Sequence, residues 1–190
     1  MRRFRLGLFG AFFLWGCGGP PFLIAGFERD YKPKIKTIAV LPFSISAEDR
    51  LVEQQRMTWE EGVARAISQS DSSHSFVFPE RVRARFLGAT DSSIFGMPAE
   101  SLGVLFSAEA LLFTKVIRLF ESEGSNPTSR QVGASKFQRR GIELLMEFRL
   151  VEAATEKLLW KYRVRRFGDN VQTAARLVGQ AAAGAWPLRS

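Results

Sequence analysis

The run Ile38-Ala39-Val40-Leu41-Pro42-Phe43 contains no polar side chain. A strand with one face in water alternates apolar and polar residues, so a continuous apolar run must be covered on both faces. The segment Ile35–Phe43 therefore predicts a central strand, and any fold that holds it needs material packed on both sides of a sheet. Pro42 has no N–H to give to a ladder, so the strand is expected to end about there. The last third of the chain follows another rule. Gly141–Val151 and Lys157–Arg166 alternate apolar and charged residues, as expected of strands with one wet face. A hairpin with Phe148 opposite Trp160, Met146 opposite Tyr162 and Leu144 opposite Val164 collects the apolar residues on one face. The same register sets Glu147 against Lys161 and Glu143 against Arg165 on the other. It predicts Trp160 buried and Lys161 exposed.

Between these landmarks the pattern is helical. Ser46-Ala47-Glu48-Asp49 fits a capping box, and the helix behind it is expected to run to about Ser68. Its apolar stripe is Val52, Trp59, Val63, Ala66 and Ile67, with Glu53, Arg56, Glu60 and Glu61 on the solvated side. A polar loop carries His74, read as a surface histidine. Phe76–Phe78 is a short strand, and Pro79 opens a helix at a position where a missing N–H costs nothing. A loop from Gly88 to Met97 leads to a helix with Leu102, Leu105 and Phe106 on its apolar side. Ala110–Phe120 is a strand, 121–137 an exposed connection, and a final helix from about Asn170 to Trp186 buries Val171, Ala174, Leu177, Val178 and Ala181. The order β-α-β-α-α-β-β-β-α predicts an α/β fold: a single domain with a mixed β-sheet packed by helices, closing in a C-terminal hairpin and a helix. With 190 residues, 46% of them apolar, there is enough chain for one such core.

The amino terminus says where the domain works. Met1-Arg-Arg-Phe-Arg5 is followed by ten uncharged residues, Leu6–Trp15, in the order of a secretory leader. Ten residues are too short for a bilayer core of about 30 Å. Extending the run to Phe27 crosses Gly16-Cys17-Gly18-Gly19-Pro20-Pro21, which breaks helices; a membrane span is thus the less favoured alternative. The single Cys ends the leader in Leu14-Trp15-Gly16-Cys17, which resembles the lipobox of bacterial lipoprotein precursors. The resemblance implies cleavage before Cys17, lipidation of its thiol and palmitate-type acylation of the new amino terminus. Gly18 after it, by resemblance to enterobacterial sorting, implies the outer membrane. The alternative is an incidental Cys beside a leader cut near Gly18 or Gly19. The expected organisation is a lipoprotein signal peptide (1–16), a lipid-anchored tether (17–34) and a periplasmic α/β domain (35–186).

The domain is also similar to a known group. Ile38-Ala39-Val40-Leu41-Pro42-Phe43, Ala110-Leu111-Leu112-Phe113-Thr114-Lys115-Val116 and Leu150-Val151-Glu152-Ala153-Ala154-Thr155-Glu156-Lys157-Leu158-Leu159-Trp160, in that order after a lipobox, resemble bacterial periplasmic lipoproteins. These include the penicillin-binding-protein activators and the globular part of the curli-secretion-channel lipoproteins, with a fold like the amino-terminal domain of the Tol-Pal translocation protein. The resemblance implies a non-catalytic domain that contacts another envelope protein or itself in cell-envelope assembly, regulation of cell-wall synthesis being one such role. The rival is a subunit of an oligomeric outer-membrane secretion channel, which would need lipid-crossing hairpins. The outward face of 141–166 carries too many charges for that.

Other chemistries lack their residues. No Gly-rich phosphate loop occurs, and Gly133-Ala134-Ser135-Lys136-Phe137 fails as a nucleophile elbow at its fifth position. One Cys and one His exclude zinc sites built on several such ligands, and no enzyme activity, metal or cofactor is expected. Removing residues 1–16 takes three of the 27 basic side chains and none of the 19 acidic ones, so the mature chain is only modestly basic and nucleic acid is not an expected partner. The basic surplus lies between Arg130 and Arg166, where ten basic residues face four Glu. Lys161, Arg163, Arg165 and Arg166 are the candidate partner-binding residues, for an acidic protein or anionic headgroups.

Overall fold

A computed structural model describes residues 34–45, 50–86, 91–124 and 139–188. The leader, Cys17, most of the tether and the capping box lie outside the described residues. In chain order the elements are β1 (Thr37–Ile45), α1 (Arg50–Ser70), β2 (Ser75–Val77), α2 (Pro79–Arg85), α3 (Asp91–Phe95), α4 (Ala99–Phe106), β3 (Ala110–Gly124), β4 (Arg139–Glu152), β5 (Leu158–Gly168) and α5 (Val171–Gly184). The five strands form one sheet in the order β2-β1-β3-β4-β5. β1 is parallel to β2 and β3, and β3, β4 and β5 run antiparallel. This is the mixed sheet and terminal hairpin-helix that the sequence predicts, with α3 added inside the expected 88–97 loop.

Both faces of β1 are covered, for the reason its composition gave. On one side Ile38 and Val40 join Leu112, Phe148 and Trp160 beneath α1 (Trp59, Val63, Ile67) and α5 (Ala174, Val178, Ala182). On the other, Ala39 and Leu41 join Leu111 and Val151 beneath α2 (Val82), α3 (Ile94) and α4 (Ala99, Leu102, Phe106). Gly179 allows a close approach of α5 to α1: a Cβ there would lie 3.2 Å from Val63 Cα. Asn170 caps α5, its side chain accepting from Thr173 N–H at 2.8 Å.

Three local expectations fail for identifiable reasons. The strand does not stop at Pro42. It runs to Ile45, and the register against β3 shifts between Val40 and Phe43, an irregularity that accommodates the missing donor. The hairpin register is two residues from the predicted one: Phe148 faces Tyr162, Leu150 faces Trp160 and Met146 faces Val164. A loop at 153–156, with Glu156 left-handed at φ 54°, is closed by Glu152 N–H donating to Lys157 C=O at 2.9 Å. Leu159 is then an extra residue between the pairs Val151–Leu158 and Leu150–Trp160. A slip of two keeps every side chain on its predicted face. Trp160 is accordingly buried, whereas Lys161 is only 28% exposed because it leans on Glu147.

Glu60 is the third. It is 1% exposed, not solvated. Its carboxylate accepts from the Phe43 N–H at 2.7 Å and from the Arg83 guanidinium at 2.7 Å. Arg56 approaches Glu60 at 3.6 Å and Asp91 at 2.8 Å, so the cluster ties α1, α2 and α3 to the irregular end of β1. Burial pushes the Glu60 carboxyl above its ordinary value, against the opposing pull of the Phe43 N–H and the two arginines.

Candidate functional site

α2–α4 cover their face of the sheet only over β1 and the adjoining ends of β3 and β4. Beyond Val151 the same face opens to solvent. The two-residue period of the strands lines it with Lys115 from β3, Glu143, Leu145, Glu147 and Arg149 from β4, and Lys161, Arg163 and Arg165 from β5. Lys115, Arg149, Arg163 and Arg165 are exposed, and Leu145 is half-buried.

The charges are ordered. Glu147 sits between two cations, with Lys161 Nζ at 3.2 Å and Arg163 donating at 2.7 Å. Partial burial opposes its ionisation, but these two partners outweigh it and hold the carboxyl below the usual glutamate range. Arg165 donates to Glu143 at 2.7 Å. In register, Lys115 stands opposite Glu147, and Arg149 lies between Phe113 and Lys161. The ends of β5 are marked by exposed apolar side chains, Leu158 and Phe167.

Of the four residues singled out from sequence, Lys161, Arg163 and Arg165 share this face. Arg166 does not: it stands opposite Leu144 and donates to the Arg165 carbonyl at 2.9 Å. Arg149 was missed, although alternation along β4 puts it on the face of Glu147; Lys115 joins them through the pairing of β3 with β4. The Glu147–Lys161 and Glu143–Arg165 pairs expected from sequence both exist, as diagonal rather than directly opposed neighbours.

Other polar features are structural in their contacts. His74 is not a free surface group. Its Nδ1 lies 2.7 Å from Asp71 Oδ2, which also accepts from Trp186 Nε1 at 2.7 Å, while Ser73 N–H donates to Oδ1 at 3.0 Å. Trp186 also meets the Trp160 ring edge-on at 5.3 Å, so the chain beyond α5 is fastened to the α1–β2 connection through Asp71 and to β5 through Trp160. Burial disfavours the Asp71 carboxylate, yet the hydrogen bonds from His74, Trp186 and Ser73 hold it below its ordinary value. Glu60 touches cations and a backbone amide, an arrangement suited to fixing geometry. Among the described residues no group of three or more His, Cys, Asp or Glu side chains could hold a metal, and no helix is long and apolar enough to cross a membrane. A groove of about 460 Å³ runs between α1, β2 and α2, lined by Arg65, Phe76, Phe78 and Arg81 with Glu61, Gln69 and Glu80.

No family model matches the sequence, and no curated protein matches it. Solved structures share the fold. The crystal structure of lipoprotein GNA1162 from Neisseria meningitidis is similar over 79% of this chain and 96% of its own, with a TM-score of 0.53 at 20% identity. A PelC dodecamer from Paraburkholderia phytofirmans is similar over 82% of this chain and 88% of its own, with a TM-score of 0.50 at 13% identity. At these identities the likeness is one of fold, and it extends over 79% and 82% of this chain.

Proposed function

We propose that the chain is an outer-membrane lipoprotein, anchored through Cys17, whose periplasmic α/β domain acts by protein–protein contact in cell-envelope assembly. The observation that carries this reading is the conjunction of two features: a lone Cys closing a leader of lipobox form, and a fold shared with lipoprotein GNA1162 over 79% of the chain. A non-catalytic role is supported by the commitment of Glu60 and Asp71 to internal partners. Regulation of cell-wall synthesis is the finer form of the proposal. Its test is site-specific photo-crosslinking in the native host, with the crosslinker placed in turn at Met57, Arg149 and Gln180. Discrete adducts with a defined envelope protein support contact as the function. Absence of adducts from every position, with the chain correctly localised, overturns it.

The dodecameric state of the structurally similar PelC favours a second reading, a subunit of an oligomeric outer-membrane secretion channel. Detergent-extracted chain running as a ring of many copies would support that reading; a monomer or dimer would remove it.

A further inference from the structure

We infer that the open face of β3, β4 and β5 is a docking site for an extended acidic segment of a partner protein, with apolar residues at both ends of that segment. The inference rests on the proposed contact function and names the surface and the kind of partner.

Charge is the first argument. The described side chains of this face include five cations (Lys115, Arg149, Lys161, Arg163, Arg165) and two carboxylates (Glu143, Glu147). Glu147 is already shared by Lys161 and Arg163, and Glu143 is engaged by Arg165. Among the described residues no ion pair engages Lys115 or Arg149, although Lys115 stands opposite Glu147, so five cations against two carboxylates leave the described part of the face net positive.

Spacing is the second. Lys161, Arg163 and Arg165 recur every second residue along one strand, roughly 6.6 Å apart at 3.3 Å per residue. Alternate side chains of an extended peptide repeat at the same distance, so carboxylates at every second position meet the three cations in register. Lipid headgroups have no such repeat. Leu158 and Phe167 flank the cations on this face, and each offers an exposed apolar anchor. A second copy of the chain is a poor occupant, because the same face presented by a two-fold partner would set Lys and Arg against Lys and Arg.

The test uses the full chain purified in detergent and a fluorescein-labelled peptide with three Glu at alternate positions between a terminal Phe and Leu. A second peptide carries Gln in place of Glu, and phosphatidylglycerol vesicles are the third probe. Anisotropy at low salt should show the Glu peptide binding at least about tenfold more tightly than the Gln peptide, an advantage that shrinks as salt rises. The double variant Lys115→Glu/Arg149→Glu, both changes being on exposed side chains, should weaken Glu-peptide binding at least about tenfold. Lys115→Ser/Arg149→Ser should fall between it and wild type, with circular dichroism of both unchanged. Equal affinity for the two peptides, or indifference to the charge-reversed pair, overturns the inference. Vesicle binding lost in that pair, without peptide binding, also overturns it and moves the face to lipid. In the photo-crosslinking experiment, adducts from Met57 or Gln180 with none from Arg149 would keep contact as the function and remove this face from it.

Discussion

Replacing Glu60 by Ala tests the reading of the charge cluster behind β1. The carboxylate is 1% exposed and accepts from the Phe43 N–H at 2.7 Å and from Arg83 at 2.7 Å. Its loss strands the Phe43 N–H, at a cost of about 1–3 kcal/mol for a buried donor without a partner. It also leaves Arg56 and Arg83 to share the single carboxylate of Asp91, at 2.8 and 3.5 Å. Breaking a buried ionic network by removing one partner typically costs about 3–5 kcal/mol, a large part of the roughly 5–15 kcal/mol that holds a domain together. Urea unfolding of Glu60→Ala, followed by tryptophan fluorescence, should therefore show a loss of about 3–5 kcal/mol. Arg83→Met in the same background should cost less than in wild type, with a coupling of about 1 kcal/mol or more. The pH dependence has a definite sign. Burial raises the Glu60 carboxyl in the folded chain, so its contribution is most favourable at and below the ordinary value of 4.5 and declines as pH rises through the higher folded value. Glu60→Gln should remove that slope while keeping the bond from Phe43. A Glu60→Ala protein within about 0.5 kcal/mol of wild type would refute the argument, since that is the behaviour of an exposed side chain.

Other outcomes follow from the same contacts. Asp71→Ala removes the acceptor of Trp186 Nε1 and His74 Nδ1 and should cost about 2–3 kcal/mol. Because Asp71 is held below its ordinary 3.8, its contribution is present above that value and fades as pH falls below it; the variant should unfold in acid with a shallower slope. Gly179→Leu forces α1 from α5, where a Cβ already lies 3.2 Å from Val63 Cα, and thermal unfolding should report a loss of about 1–3 kcal/mol. Gly62→Ala, in mid-helix with open space at its Cβ, should instead gain about 0.5–1 kcal/mol in the same assay.

Much of the fold was legible because it depends on local pattern. The apolar run around Val40 demanded two covered faces, and alternation in β4 and β5 assigned each side chain to its face. Register was not legible: it is set by the loop at 153–156 and the extra residue Leu159, and a slip of two leaves the alternation intact. Pro42 misled for a related reason, since an irregularity in the β1–β3 ladder lets the strand pass it. Glu60 was assigned to the wet side of α1 because its partners come from β1, α2 and α3, which no helical period reveals. The candidate surface was legible in part. Alternation separates Arg166 from Arg163 and Arg165 and adds Arg149, whereas the net charge of 130–166 carries no information about faces. That Lys115 belongs there follows only from the pairing of β3 with β4.

The central claim is a contact domain held at the membrane by Cys17, and metabolic labelling tests it most directly. Cells producing wild-type chain and Cys17→Ser are fed an alkyne-palmitate analogue, and the membranes are fractionated. The account predicts label and outer-membrane recovery for wild type, with neither for Cys17→Ser. A soluble, unlabelled wild-type product, or an uncleaved and unlabelled membrane form, would contradict it.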